Sequence, residues 1–125
     1  MRISDAESVV MEALWASHPR SAQDIIDEVA GPNDWSAVTV RSLLSRLMNK
    51  GAVSAVRDGR KYLYSPLVAR DEYVHEASQN LIDRLFDGQL APLVSHLSER
   101  QALSTDDIRA LKQLIRTLPG GDQDD

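Results

Sequence analysis

The residues best suited to do chemistry lie on one side of a helical segment between positions 36 and 50. Its apolar residues recur at helical spacing and define an inward side: Val40, Leu43, Leu44 and Leu47. The opposite side has no acidic residue and mostly short side chains, with arginines at its flanks: Val38, Thr39, Arg41, Ser42, Ser45, Arg46 and Asn49. Because residues three and four apart share a helix face, this pattern predicts an exposed surface that carries only positive charge.

Such an acid-free face is suited to the major groove of DNA. Short side chains let the helix backbone approach the bases, and arginine pairs bidentately with guanine. The methyl groups of Val38 and Thr39 suit the methyl group of thymine. A solvated polar face is the alternative, but such a face usually carries glutamate beside lysine. We therefore expect this face to bind DNA, with Arg41 and Arg46 as the arginines and the short side chains in close contact.

A β-hairpin is predicted directly after this helix. Two runs rich in valine and tyrosine flank Asp58-Gly59, a pair typical of two-residue turns. With that turn, Arg57 lies opposite Arg60, beside Lys61, and facing like charges destabilise a strand pair. A DNA phosphate would neutralise them, so we expect all three side chains to contact the DNA backbone. Screening by solvent and by the aspartate offers another way to relieve the repulsion.

The distribution of charge also indicates a partner for this region. The chain of 125 residues has a net charge of −5, yet residues 35–69 hold six basic residues and one acidic residue. The segments before and after it are both acidic. An asymmetry of this kind indicates an anionic partner at the basic segment, although a solvated basic face would give the same pattern.

The elements that position these residues follow from capping and apolar spacing. A capping box at Ser4 begins a helix of about Asp5–Ser17, and a weaker box begins a second of about Ala22–Ala30, with Gly31 as its C-cap. The third helix is the segment described above, and a short strand near Arg20 pairs with the hairpin. This order predicts a winged helix-turn-helix over residues 1–68.

The rest of the chain is helical. Three helices are predicted, at about 70–86, 90–100 and 104–118, and each carries a narrow apolar stripe. A domain of this size is too small to bury all three stripes by itself. We expect residues 69–118 to dimerise and residues 119–125 to form a disordered tail; the alternative is that these helices fold back onto the first module. The predicted dimerisation residues are Leu81, Leu85, Leu93, Leu97, Leu111, Leu114 and Ile115. The predicted fold class is thus mainly α with a small β-hairpin wing.

Several other classes of function are excluded. Without cysteine the chain has no disulfide and no thiolate metal site. Its three histidines, at 18, 75 and 96, lie on different predicted elements, so we expect no metal site and no cofactor. Phosphate-binding glycine loops and nucleophile motifs are missing, so we expect no enzyme. No apolar run is long enough to span a membrane and no signal peptide is evident, so we expect a cytoplasmic protein.

At this point the residues show a family resemblance. The segment Asp34–Leu47, followed by Lys50-Gly51-Ala52-Val53, resembles the recognition helix of the BlaI/MecI/CopY family of bacterial repressors. Further similar segments are Glu7–Trp15, Gly59–Val68, Phe86-Asp87-Gly88, Pro92-Leu93-Val94, and Leu103-Ser104 leading to Ile108 and Leu111. Nearly the whole chain is covered by this resemblance.

The resemblance implies a homodimer whose winged helices bind an inverted repeat in double-stranded operator DNA. It also implies control of β-lactamase or related antibiotic-response genes, in which a membrane sensor-protease leads to cleavage of the repressor. The chain departs from the family in two ways. It lacks the cysteines of the copper-responsive branch, and His96-Leu97 stands where the well-known members carry the Asn-Phe bond that is cut. A cut in the region 95–100 is the corresponding expectation.

Two rival functions stay open from the sequence. One is a ligand-sensing winged-helix regulator of another regulon, with a small molecule bound between the domains. The other is a winged helix that binds protein in place of DNA, which would favour an apolar or acidic third helix. The acid-free face of the third helix favours DNA over a protein partner.

Overall fold

The structure, a computed structural model, describes residues 1–120. Its elements in chain order are α1 (Asp5–Ala16), β1 (Arg20–Ser21), α2 (Ala22–Asn33), α3 (Ala37–Asn49), β2 (Val53–Asp58), β3 (Lys61–Pro66), α4 (Arg70–Phe86), α5 (Leu90–Glu99) and α6 (Thr105–Thr117). Six helices and one small sheet confirm the predicted fold class. The part of the predicted tail at 121–125 lies outside the described residues.

The chain divides into two compact units, residues 1–76 and the residues from 77 onward. The sequence predicts a boundary at 68/69 instead. The difference arises because the first turns of α4 pack on α1. The indole Nε1 of Trp15 donates to the Val68 carbonyl at 2.8 Å, and its ring centroid lies 5.4 Å from that of Tyr73. Arg70 Nε also contacts both carboxylate oxygens of Glu12 at 3.1 Å.

The core of the first unit is formed where α1, α2 and α3 pack on one another and on the sheet. The four predicted inward residues of α3 are all buried, which confirms that side of the helix: Val40, Leu43, Leu44 and Leu47. Each large apolar side chain buried this way contributes about 1.5–3 kcal/mol. The core therefore holds α3 with its opposite side turned to solvent.

The α2 helix ends later than predicted. It continues through Gly31 to Asn33, so the prediction of Gly31 as C-cap is wrong. The cap is Asp34 in the left-handed conformation, with φ 55°, which aspartate tolerates better than most residues. Its N–H donates to the Gly31 carbonyl at 3.1 Å, and the Trp35 N–H donates to the Ala30 carbonyl at 2.9 Å. These bonds satisfy carbonyls at the helix end.

The three strands form an antiparallel sheet in the order β1-β3-β2. The two-residue β1 pairs Arg20 with Tyr64 and Ser21 with Leu63, which confirms the short strand predicted near Arg20. Since Ser21 is also the N-cap of α2, this pairing places the start of α2 beside the wing.

The predicted hairpin turn is wrong by one residue. The two turn residues are Gly59 and Arg60, and Asp58 pairs with Lys61. Gly59 has φ +66°, and a glycine at the first central position is typical of a type II′ turn. The pairing of Asp58 with Lys61 also places opposite charges across the strands, which stabilises a hairpin.

The new register removes the predicted facing arginines. Arg57 pairs with Tyr62, and its Nε donates to the Gly59 carbonyl at 3.2 Å, while Arg60 lies exposed in the turn. Like-charge repulsion across the strands therefore gives no argument for phosphate binding. Whether these side chains suit a phosphate depends on the groups that surround them.

The second unit contains the end of α4 together with α5 and α6. A capping box at Ser104 begins α6: the Ser104 Oγ accepts from the Asp107 N–H at 3.0 Å. An open cleft of about 720 Å³ lies between α5 and α6 and is mostly apolar. Of the described residues in α4, α5 and α6, none is fully buried. No helix within residues 1–120 combines the length and apolarity needed to cross a bilayer.

Candidate nucleic-acid interface

The outward face of α3 has the exposure predicted for it. Its exposed members are Val38, Arg41, Ser42, Ser45, Arg46 and Asn49. Val38 leaves 73% of its surface exposed, so its methyl groups are free to contact another apolar group. Thr39 is half-buried, and its N–H donates to the Ser36 Oγ at 3.1 Å as part of the N-cap. The Thr39 hydroxyl also lies 3.1 Å from the Ser36 Oγ, so the methyl is the side-chain group most available for contact.

A second feature lies between this helix and the wing. It is a groove of about 280 Å³, which we call the basic groove. Its lining consists of Ser21, Ala22, Gln23, Arg41, Arg60, Lys61, Tyr62 and Tyr64. Three of these side chains are cationic and, among the described residues that line it, none is acidic. The arrangement favours an anion.

Three separate elements contribute to the basic groove. Arg41 comes from the second turn of α3, and Arg60 and Lys61 come from the wing. The first turn of α2, whose N-cap is Ser21, adds the positive end of a helix dipole, which the Asp24 carboxylate in the same turn partly offsets. Such a combination of cations and a helix start is suited to the phosphate oxygens of a nucleic-acid backbone.

Part of this groove was not predicted. Ser21, Gln23, Tyr62 and Tyr64 were not identified as candidate binding residues, because the sequence assigns them to a helix cap and to strand packing. The register between β1 and β3 is what brings them to the groove. A two-residue strand gives little sequence pattern, so the sequence alone does not predict that these residues line one groove.

Lys50 is basic and lies in the same segment, but it is directed elsewhere. Its ammonium donates to the Glu7 carboxylate, and also to the Arg2 carbonyl at 2.7 Å. Glu7 is buried, with only 2% of its side chain exposed. Burial alone would raise the pKa of the Glu7 carboxyl, but hydrogen bonds from Lys50 and Ser4 outweigh it, so this pKa lies below its usual value.

The predicted dimerisation residues all lie on α4, α5 and α6, at different depths. Leu93, Leu97 and Leu111 are half-buried, whereas Leu81, Leu85, Leu114 and Ile115 are exposed. Three of the seven line the apolar cleft: Leu111, Leu114 and Ile115. The cleft therefore gathers only part of the predicted set.

The His96-Leu97 bond lies in the last turn of α5. His96 is exposed, and its carbonyl accepts from the Arg100 N–H at 3.2 Å. The Leu97 carbonyl accepts from the Ala102 N–H at 2.8 Å. Within residues 1–120, no group of three or more histidine, aspartate or glutamate side chains is arranged to hold a metal ion.

The chain is similar to known proteins over nearly its whole length. The model of the penicillinase repressor family matches residues 3–117. The chain belongs to this family. The penicillinase repressor of Bacillus licheniformis is 31% identical over 91% of this chain and 89% of its own length. The methicillin resistance regulatory protein MecI of Staphylococcus aureus (strain N315) is 34% identical over 90% of this chain and 92% of its own length.

Solved structures agree with the fold of the first unit. The DNA-binding domain of the repressor BlaI superposes with a TM-score of 0.54 at 33% identity, over 58% of this chain and 88% of that one. Monomeric Bacillus licheniformis BlaI in complex with the blaP half-operator gives a TM-score of 0.53 at 33% identity, over 58% and 89% of the two chains. These findings confirm the predicted family, the winged-helix fold, and a repressor function in place of an enzymatic one.

Proposed function

We propose that the protein represses transcription by binding operator DNA through α3 and the wing. The observation that carries this proposal is the basic groove, which joins the acid-free face of α3 to the cations of the hairpin. A helix in the major groove with a wing on the backbone needs these two surfaces to be continuous. The half-operator complex of the BlaI relative is in keeping with this use of the fold.

The residues divide into two roles under this proposal. Base edges are contacted by the outward face of α3, that is by Val38, Thr39, Ser42, Ser45 and Arg46. Phosphates are contacted by Arg41, Arg60 and Lys61 in the basic groove and by Arg57 beside the hairpin turn. Arg41 is assigned to phosphate because it shares the groove with the two wing cations. Arg46 is then the remaining exposed arginine of α3 for guanine.

The second unit is proposed to form a homodimer. Support comes from the apolar cleft of about 720 Å³ and from three exposed residues of α6 that line it: Ile108, Leu114 and Ile115. Exposed apolar residues gathered at one cleft favour an interaction site there. A two-fold dimer would read a palindrome whose half-sites lie one helical turn, or a multiple of it, apart. Residues 69–118 are the dimerisation domain in this proposal.

The regulated genes are proposed to be those of a β-lactamase or a related antibiotic response. The names of the relatives, penicillinase repressor and methicillin resistance regulatory protein, support this proposal. Relief of repression would follow proteolysis at His96-Leu97, or nearby in 95–100, by a membrane sensor-protease. The repressor itself would act in the cytoplasm, where operator DNA lies.

In vitro selection from randomised duplexes tests the proposal with the full-length chain. The expected product is a palindrome. The logarithm of its association constant should fall linearly with the logarithm of the salt concentration. Sedimentation at micromolar concentration should show a dimer. Recovery of unrelated sequences, or of no sequence, would exclude operator binding. A thermal-shift screen of small molecules tests the rival function, a ligand-sensing regulator. That function requires a ligand that raises the melting temperature of the free protein.

A further inference from the structure

The ammonium of Lys50 joins the end of α3 to the start of α1. Lys50 is the C-cap of α3, and its backbone N–H donates to the Arg46 carbonyl at 3.0 Å. Its side chain reaches back to Glu7 and to the Arg2 carbonyl, and these two partners lie on either side of the first residue of α1, Asp5. We name this arrangement the Glu7–Lys50 tie.

The Glu7 carboxylate has few partners other than Lys50. Only 2% of the Glu7 side chain is exposed, so its charge cannot turn to water and needs a cation beside it. Oε1 accepts from Lys50 and from the Ser4 N–H at 2.9 Å, while Oε2 is buried and accepts no hydrogen bond from the described residues. Lys50 is therefore the one cation on which this buried carboxylate depends, within the described residues.

We infer that Lys50 is a positioning residue for the recognition helix and not a phosphate contact, and that the Glu7–Lys50 tie sets the specificity of α3. This inference rests on the proposed operator binding. Ser36 caps the first end of α3, and the core packs against one side of the helix as far as Leu47. The tie adds the polar contact at the C-cap, beyond this last core residue. Ser45 and Arg46 lie within about one turn of Lys50, so movement of this end displaces them directly. Hydrogen bonds to bases tolerate only a few tenths of an ångström.

The test is the double variant Glu7→Gln/Lys50→Gln. It removes both charges, so no unpaired charge stays buried and the net charge of the protein does not change. Long-range attraction to DNA is thereby preserved. The matched control is Glu12→Gln/Arg70→Gln, which neutralises an exposed ion pair between α1 and α4 without touching α3. Lys50→Arg is the conservative variant, because it keeps a cation beside Glu7.

Binding is measured on the selected palindrome and on a scrambled duplex, over a range of salt. The double variant should lose about tenfold in affinity for the palindrome, the cost of one misplaced base contact. Its affinity for the scrambled duplex and its salt slope should not change. The control should match the wild type, and Lys50→Arg should retain most of the discrimination.

Other outcomes overturn the inference. A salt slope that falls by about 0.9 for each bound protomer, with equal losses of affinity on both duplexes, makes Lys50 a phosphate contact. Losses on both duplexes in proportion to the unfolded fraction, measured by urea titration, make the tie merely structural. Unchanged discrimination removes any role for it. A wild-type protein that fails to discriminate the two duplexes refutes the proposed operator binding itself, which distinguishes the two failures.

Discussion

The indole ring of Trp15 and the phenol ring of Tyr73 lie 5.4 Å apart, with 36° between their planes. This contact attaches the start of α4 to α1 and places the first turns of that helix in the DNA-binding unit. Since Trp15 also donates to the Val68 carbonyl, the connection between wing and α4 is fixed at two points. The unit that folds as one body therefore extends beyond the wing.

A fragment of residues 1–76 should accordingly be more stable than one of residues 1–68. The shorter fragment loses Tyr73 and the Arg70–Glu12 ion pair, whose combined contribution is about 1–2 kcal/mol. Urea unfolding followed by tryptophan fluorescence measures the difference. Both fragments should be monomeric and bind operator far more weakly than the full chain. Equal unfolding free energies would place the boundary at 68.

Arg60→Ala should weaken binding to operator and to unrelated DNA alike. Each protomer of the proposed dimer loses one phosphate contact, and each lost contact reduces the salt slope by about 0.9. Arg109→Ala is the matched control, because it also removes one positive charge from an exposed arginine, but on α6 and outside the wing. Fluorescence anisotropy over a range of salt provides both slopes. Wild-type affinity and slope in Arg60→Ala would exclude the wing turn from the interface.

Acid should destabilise the protein partly through Glu7. Because the pKa of this carboxyl is lowered in the folded state, its ionised form contributes stability above the unfolded value of about 4.5. That contribution is lost as the pH falls from there through the folded pKa. Unfolding free energy should therefore decline less steeply below pH 4.5 in Glu7→Gln than in the wild type.

Glu12→Gln is the control for this pH effect, since it removes an exposed carboxylate from the same helix. Urea titrations at several pH values measure all three proteins. If the unfolding free energy falls equally steeply with acid in Glu7→Gln and in the wild type, the pH dependence does not come from Glu7.

Leu114→Glu should disrupt the proposed dimer. Leu114 lines the apolar cleft and is 57% exposed, so a carboxylate there would lose its water on association. Losing the apolar burial alone costs about 1.5–3 kcal/mol per site. Sedimentation velocity should show dissociation at concentrations where the wild type is dimeric. Gln113→Glu, the same charge on the neighbouring exposed residue of α6, is the control and should leave the dimer intact.

What the sequence could predict depended on how regular each local pattern was. The inward and outward sides of α3 were predictable because its apolar residues, from Val40 to Leu47, are spaced as on one side of a helix. The structure buries them on that side. The hairpin turn was not, since Gly59 serves equally well as second residue of an Asp-Gly turn or first residue of a Gly-Arg turn. The choice between them follows from pairing along the whole hairpin.

The candidate site was predictable only where it lies on one element. Arg41 was identified from its helix, but its position beside Lys61 depends on how wing and helix pack. In the sequence Lys50 is one basic residue among six, because nothing local distinguishes a lysine paired with a buried carboxylate from an unpaired one. Its partner Glu7 is 43 residues away and was recognised only as part of a capping box.

Proteolysis at His96-Leu97 should release the repressor from DNA. The bond lies in the last turn of α5, so cutting it separates α6, with Leu111, Leu114 and Ile115, from the rest of the chain. The dimer would lose apolar contacts worth about 1.5–3 kcal/mol per large buried side chain. Because a monomer holds only one half-site, operator affinity falls with the dimer population while α3 is unchanged.

Mass spectrometry of the protein from cells treated with a β-lactam checks this expectation. New termini should appear within 95–100 as repression is relieved. The hydrogen bonds that the His96 and Leu97 carbonyls make within this turn must open before cleavage, which makes the bond slow to cut in the folded chain. His96→Asn/Leu97→Phe introduces the Asn-Phe pair expected from the family resemblance, and it should speed cleavage without altering operator affinity. Intact repressor in fully induced cells would mean that a ligand or another signal relieves repression.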